Sequence, residues 1–274
     1  MSKIITIYCE GIKGSHDYDI LDKIVASFKT SSIIIEPIGG IRGAGAIINY
    51  IEGAAKSDAK ILFRDRDFDC PIPSSPILEQ DKDRKYSYYS YRNTIENYLF
   101  DTSLFYNFVQ EKGLSSQYSI NNENDVKLKF IEAAEGIKYY QAVRHAMGKM
   151  RTGETIFGTK WTEKSGILPD DLSENACKKK ALEKILNAKT LTEGWTETGL
   201  YREFDSFLAK FDDTFMNNLD FLIYFQGKDF ASFLTSHLLP GFPMKPYYTY
   251  AKQKFDYTKF PDLQELFNLI SSYL

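Results

Sequence analysis

Between residues 3 and 100 the sequence alternates short β-branched apolar runs with segments of helical periodicity. "KIITIYC" (3–9), "SSIIIEPIGG" (31–40) and "AKILFRD" (59–65) read as strands, and "KYSYYSYR" (85–92) alternates as a fourth. "DYDILDKIVASF" (17–28) sets Ile20, Ile24 and Phe28 on one helical face, and "GAGAIINYIEGAA" (43–55) and "NTIENYLF" (93–100) read as further helices. Parallel strands need crossovers long enough to carry a helix, so βαβαβ followed by βα predicts an α/β fold: a mainly parallel sheet with helices on both faces. In such sheets functional sites gather beyond the carboxyl ends of the strands.

Those ends carry acids. Glu10 follows the first strand, Asp65 and Asp67 follow the third, and Glu96 follows the fourth. Alternate residues of an extended chain point the same way, so Asp65 and Asp67 can present two carboxylates on one side of a strand end. Unpaired buried carboxylates cost several kcal/mol, whereas oxygen ligands with water are how a protein holds Mg²⁺. The competing reading is a solvated turn whose acids pair with Arg64 and Arg66. Glu10, ahead of a Gly11 that admits a close approach of substrate or backbone, tilts the balance to an acidic cluster. Asp69, beyond the expected strand end, is a second-rank member.

From about residue 105 the pattern becomes helical, with amphipathic segments at 126–150, 174–188, 200–211 and 262–274 and a loop at 158–173. We therefore expect a domain over 1–105 and a mostly α-helical region over 106–274 that serves interaction or substrate binding. Hydrophobic residues at 43% and aromatics at 15% suffice for a packed core and exclude a mainly disordered chain. A net charge of −3 argues against coating nucleic acid by bulk charge but not against a nuclease, whose metal-binding acids count as negative. No apolar run reaches the roughly 18 residues of a membrane span. No signal peptide is visible, and Cys9, Cys70 and Cys177 form no CxxC pair, so they read as cytoplasmic thiols rather than a zinc site or disulfides.

"IYCEG" followed, two α/β units later, by "LFRDRDFD" resembles a TOPRIM domain, the fold of topoisomerases, bacterial primases and OLD-type nucleases. Together with "RNTIENYL" and "GKDF" (227–230), it is similar to TOPRIM-like proteins found beside ABC-type ATPases in bacterial anti-phage loci, the group of the PARIS toprim effector. The resemblance covers most of residues 3–105 and the "GKD" outlier. It implies catalytic or metal-binding roles for Glu10, Asp65, Asp67 and Glu96, with Lys228 as a basic residue near the site. It also implies Mg²⁺ or Mn²⁺ as cofactor and phosphodiester cleavage of RNA, including tRNA, or of DNA. A partner ABC-type ATPase would control the chain as a defence effector, with homodimerisation on activation. Either Asp17 or Asp19 matches a further acid often seen in the family. The alternative is a non-catalytic regulatory or binding subunit of the ATPase complex; a third option is nucleotidyl transfer, as in primases.

Other features read as structure first. "GGIRGAG" (39–45) has neither a Walker A nor a GxGxxG spacing and reads as a turn, with phosphate contact at the helix start second. Arg64, Arg66 and Arg92 read as partners for neighbouring acids ahead of phosphate ligands. Lys178, Lys179 and Lys180 read as a solvated face ahead of a nucleic-acid path. Tyr86, Tyr88, Tyr89 and Tyr91 read as a half-core strand ahead of a base-stacking surface. His16 reads as a loop residue, and His145 and His237 carry no local signal.

Overall fold

Strand β1 (Ile5–Cys9) is buried along its whole length, as its β-branched, mostly apolar run requires of a central strand. The computed structural model describes residues 3–39, 44–54, 58–68, 70–150, 158–188 and 196–274. Strands β2 (Ile33–Pro37) and β3 (Ala59–Arg64) flank β1 in parallel, and helices α1 (His16–Ala26) and α2 (Ala44–Gly53) follow the first two strands. β4 (Glu79–Gln80) and β5 (Ser87–Tyr89) complete a five-stranded sheet of order β2-β1-β3-β5-β4. Only the β4–β5 pair is antiparallel. The fold is thus α/β with a mainly parallel sheet.

The fourth expected strand is shorter than its alternation suggested. β5 covers three residues, and beyond it Tyr91 gives its N–H to the Asp262 carboxylate (2.9 Å) instead of a ladder. The helix expected over 93–100 is a 3₁₀ turn, Ile95–Leu99. Asp101 ends it by capping α3 (Thr102–Glu111), its side chain accepting from Leu104 N at 2.9 Å.

The chain divides into two compact units, and the division does not follow a cut after residue 105. The sheet unit comprises Met1–Arg66, Ile72–Ile95 and Lys252–Leu274; the helical unit comprises Asp67–Pro71 and Glu96–Ala251. The C-terminal helix α12 (Pro261–Tyr273) joins the sheet unit because Phe267 stacks on Phe28 at 4.4 Å and Glu265 accepts from Leu78 N at 2.7 Å.

The helical unit contains α3, α4 (Ser115–Tyr118), α5 (Glu123–Lys149), α6 (Glu174–Asn187), α7 (Glu197–Lys210), α8 (Asp213–Asn217), α9 (Phe221–Tyr224) and α10 (Gly227–Phe233). A π-helical turn, Leu234–Leu238, follows α10, and α11 (Met244–Lys254) runs across the division at Ala251. α5 is its axis and packs against α3, α6, α7 and α10. It starts before the expected residue 126 because the Asn122 side chain caps it at Asp125 N (3.1 Å), and Glu123 and Asp125 suit the positive end of the helix. Phe100, Phe105, Phe130 and Phe230 meet edge-to-face in an aromatic core on α5, and Tyr247 packs tilted against Phe105. Each such ring contributes roughly 1.5–3 kcal/mol by burial. Lys178 pairs with Glu174 at 2.9 Å and Lys180 with Glu183 at 2.8 Å, which fits a solvated helix face.

Among the described residues no helix is long and apolar enough to cross a membrane.

Candidate functional site

The β1–β3 register pairs Cys9 with Phe63, so Glu10 and Arg64 leave neighbouring central strands side by side. Arg64 Nε donates to Glu10 Oε1 at 2.8 Å, and Arg64 Nη1 donates to the Tyr89 hydroxyl at 3.1 Å. The guanidinium lies 5.2 Å from the Tyr89 ring centroid, and that hydroxyl donates onward to Asp81 at 2.8 Å. Asp65 follows, with Oδ1 accepting from Ile95 N (2.9 Å) at the start of the 3₁₀ turn. The sheet unit therefore brings two predicted acids, Glu10 and Asp65, to the carboxyl ends of adjacent parallel strands.

Arg66 is fully buried, donating from Nε to Ser90 O (3.0 Å) and from Nη1 to Glu79 (2.6 Å). Arg64 and Arg66 thus partner acids, as expected. Arg92 lies over the Phe260 ring at 5.0 Å. The tyrosine run is also structural: Tyr88 is buried and Tyr86 packs on the Tyr8, Ile38, Ile51 and Leu62 cluster.

The space beside Gly11 is taken by the protein itself. A Cβ there would collide with Ser15 and Asp17, because Gly11 N donates to Asp17 Oδ2 (2.6 Å) and Ser15 Oγ donates to Oδ1. The close approach that Gly11 admits is made by the chain itself, through this local lock and through Gly39, whose N–H donates to Gly11 O at 2.9 Å. Asp17 sits beside the β1 end, while Asp19 is ion-paired with Lys252. Burial, with the nearby Asp17 and Glu10 charges, pushes the Cys9 thiol up to about 12.

The strand alternation assumed for Asp65 and Asp67 does not hold. β3 ends at Arg64, and Asp67 adopts φ +46°, the left-handed region that Asp tolerates better than most residues. Asp67 belongs to the helical unit, where Gln226 Nε2 donates to its Oδ1 at 3.3 Å. Phe68 anchors this turn: it is buried, meets His145 edge-on at 4.8 Å and lies 4.2 Å beneath the Arg144 guanidinium. Gly148 of α5 allows the close approach, since a Cβ there would stand 2.5 Å from the Phe68 carbonyl oxygen. Asp69 lies outside the described residues, as does most of the "GGIRGAG" segment.

Glu96 and Lys228 meet in the helical unit, with Nζ 3.4 Å from Oε1. Glu96 is 4% exposed, and its Oε2 has no hydrogen-bond partner among the described residues. Beside Lys228 is a network that sequence reasoning missed. Asp229 is fully buried; Arg144 pairs with its Oδ2, Gln141 donates to the same oxygen at 3.0 Å, and Gly166 N donates to Oδ1 at 2.9 Å. Gln226 accepts from Arg144 (2.8 Å) and donates to Ser165 (2.8 Å). The available signal was Gln141 and Arg144 on the same buried stretch of α5 as Ile137 and Tyr140.

Among the described residues, no group of three or more His, Cys, Asp or Glu side chains is gathered to hold a metal ion. The Glu10 and Asp65 donors are all oxygen, which matches the one or two carboxylates by which Mg²⁺ is bound alongside water and substrate phosphate. His145 is a core residue: Nε2 bonds Tyr224 O at 2.9 Å, and burial holds its imidazole down to about 3. His237 stacks on Phe233. No family model matches the chain, and no curated protein matches it.

Proposed function

We propose that the chain is a TOPRIM-like, metal-dependent nuclease that cleaves phosphodiesters of RNA, tRNA included, or of DNA. The supporting observation is the placement of Glu10 and Asp65 at the carboxyl ends of adjacent parallel strands β1 and β3. Mg²⁺ or Mn²⁺ held by this pair would polarise a phosphodiester and lower the pKa of a bound water. Glu10 serves as ligand or as general base. Arg64, already beside Glu10, offers a fixed guanidinium fork to an approaching phosphate. Asp67, Glu96 and Lys228 lie in the helical unit and are not assigned to this ligand pair.

In the cell, this reading makes the chain a cytoplasmic anti-phage effector controlled by a partner ABC-type ATPase, with dimerisation on activation. The test is nucleic-acid integrity and toxicity in cells expressing the chain with that ATPase, and cleavage by purified protein in Mg²⁺ or Mn²⁺. Glu10→Ala and Asp65→Ala should each abolish cleavage; activity that survives both ends the proposal.

A second reading, a non-catalytic regulatory subunit, draws support from the ion pairs that Glu10 and Glu96 already make with Arg64 and Lys228. Metal titration separates the two. A purified chain that binds neither Mg²⁺ nor Mn²⁺ favours the regulatory subunit.

A further inference from the structure

A cavity of about 160 Å³ opens within the helical unit, lined by Asp67, Phe68, Arg144, Thr159, Lys160, Ser165 and Gln226. That is well below the roughly 300–1,000 Å³ of sites that enclose a whole small molecule, so it suits a chemical group rather than a complete nucleotide. Its lining is largely polar, and Arg144, Thr159 and Gln226 are each buried.

The hydrogen-bond directions leave donors over. Ser165 Oγ accepts from Gln226 Nε2 (2.8 Å), and Thr159 Oγ1 accepts from Arg144 Nε (3.4 Å), so each hydroxyl keeps its own proton to give. Lys160 is half-buried and has no ion-pair or hydrogen-bond partner among the described residues. Burial, and the charges of Arg144 and Lys228, lower its pKa against the opposing pull of Asp229 and Asp67. Lys184, which donates to Gly158 O at 3.2 Å, is itself depressed by burial and then by Lys160. Arg144 and Asp229 neutralise each other, as do Lys228 and Glu96. Lys160 and Asp67 both line the cavity without forming an ion pair with each other. A half-buried ammonium that makes no ion pair among the described residues, beside two hydroxyls with protons to spare, suits a tetrahedral oxyanion.

We propose that this cavity is a phosphate-binding site, with Lys160 as the counter-ion and Ser165 and Thr159 as hydroxyl donors. Its ligand is a phosphate group, carried by a nucleic-acid strand or by a free nucleotide or inorganic phosphate. The site stands on the helical unit alone and goes beyond the roles proposed for Glu10 and Asp65.

Binding is measured by calorimetry on the full chain, without divalent metal, using inorganic phosphate, a nucleoside monophosphate and a short single-stranded oligonucleotide. Lys160→Met should weaken phosphate binding roughly tenfold or more, the usual scale of a charge-assisted contact. Lys160→Arg should largely retain it, and Ser165→Ala should weaken it less than Lys160→Met does. Unchanged melting of the unliganded variants checks that each is folded. Oligonucleotide binding that also depends on Lys160 identifies the strand as the source; dependence confined to inorganic phosphate and the monophosphate identifies a free ligand. Wild-type protein that binds none of the three probes, or Lys160→Met protein that binds all of them like wild type, overturns the proposal. The titrations contain no divalent metal and are read through Lys160 and Ser165, so this result stands or falls apart from the nuclease reading.

Discussion

Two of the arginine–carboxylate pairs, one in each unit, differ in their exposure to water. Arg64–Glu10 sits at the strand ends of the sheet unit with side chains 18% and 37% exposed; Arg144–Asp229 lies inside the helical unit at 4% and 0%. The first pair has water as an alternative partner; in the proposed function Glu10 would exchange Arg64 for a metal, and Arg64 would turn to a phosphate. The second has none, and every oxygen of Asp229 is satisfied by protein: Arg144 and Gln141 on one, Gly166 N on the other. Similar chemistry therefore fits different tasks, an exchangeable contact where function is proposed and a fixed one where the fold is organised.

The sharpest way to break this contrast is Asp229→Ala. It leaves Arg144 buried with one partner gone, and breaking such a pair typically costs about 3–5 kcal/mol. The urea midpoint should fall accordingly. Adding Arg144→Met should recover part of the loss, because an uncompensated charge rather than a missing attraction dominates the cost. A single variant with wild-type stability would show that the network is not the anchor of this unit.

His145 adds a pH dependence to the helical unit. Its imidazole is held down to about 3 by burial, against an ordinary value near 6.5. The unfolded chain takes up this proton first as pH falls, so stability contributed by neutral His145 is intact above about pH 6.5 and is lost progressively toward pH 3. The full effect is on the order of a few kcal/mol. Melting temperature against pH should show the slope, and His145→Gln should flatten it; an equal slope in both proteins would assign the acid sensitivity to carboxylates.

Much of the sheet is legible because its signals are local. "KIITIYC" and "AKILFRD" carry the periodicity of buried strands, and Glu10 and Asp65 follow from where those runs stop. Asp67 escapes the strand alternation because its left-handed turn is set by tertiary contacts, Phe68 under Arg144 and against Gly148, about 80 residues away in sequence. Asp229 is hidden for the same reason: within "GKDF" it looks like any helix-start acid, and only the fold supplies Arg144, Gln141 and Gly166. Lys160 carries no local signal, since what distinguishes it is a half-buried place with no ion pair among the described residues.

Gly148→Ala tests that long-range contact. In an ordinary helix interior the change gains up to about 1 kcal/mol. Here the new methyl would stand 2.5 Å from the Phe68 carbonyl, a backbone atom that cannot rotate aside. Overpacking of this kind costs about 1–3 kcal/mol, so the sign reverses and the melting temperature should drop. A gain in stability would mean that the Asp67–Phe68 turn is not seated on α5.

The smallest stability effect belongs to the exposed pair. Arg64→Ala removes a contact at the strand ends, where solvent-reached pairs contribute about 0–1 kcal/mol and the Glu10 side chain of this one is 37% exposed. Thermal melting should hardly move. Metal binding should: Arg64 Nε occupies Glu10 Oε1, an oxygen the proposed ion would use, and its positive charge opposes a cation there. Calorimetric titration with Mg²⁺ or Mn²⁺ should therefore give tighter binding to Arg64→Ala than to wild type, with the gain removed by adding Glu10→Gln. Large destabilisation with unchanged metal affinity would place Arg64–Glu10 in the same class as Arg144–Asp229, and the distinction between an exchangeable and a fixed pair would fail.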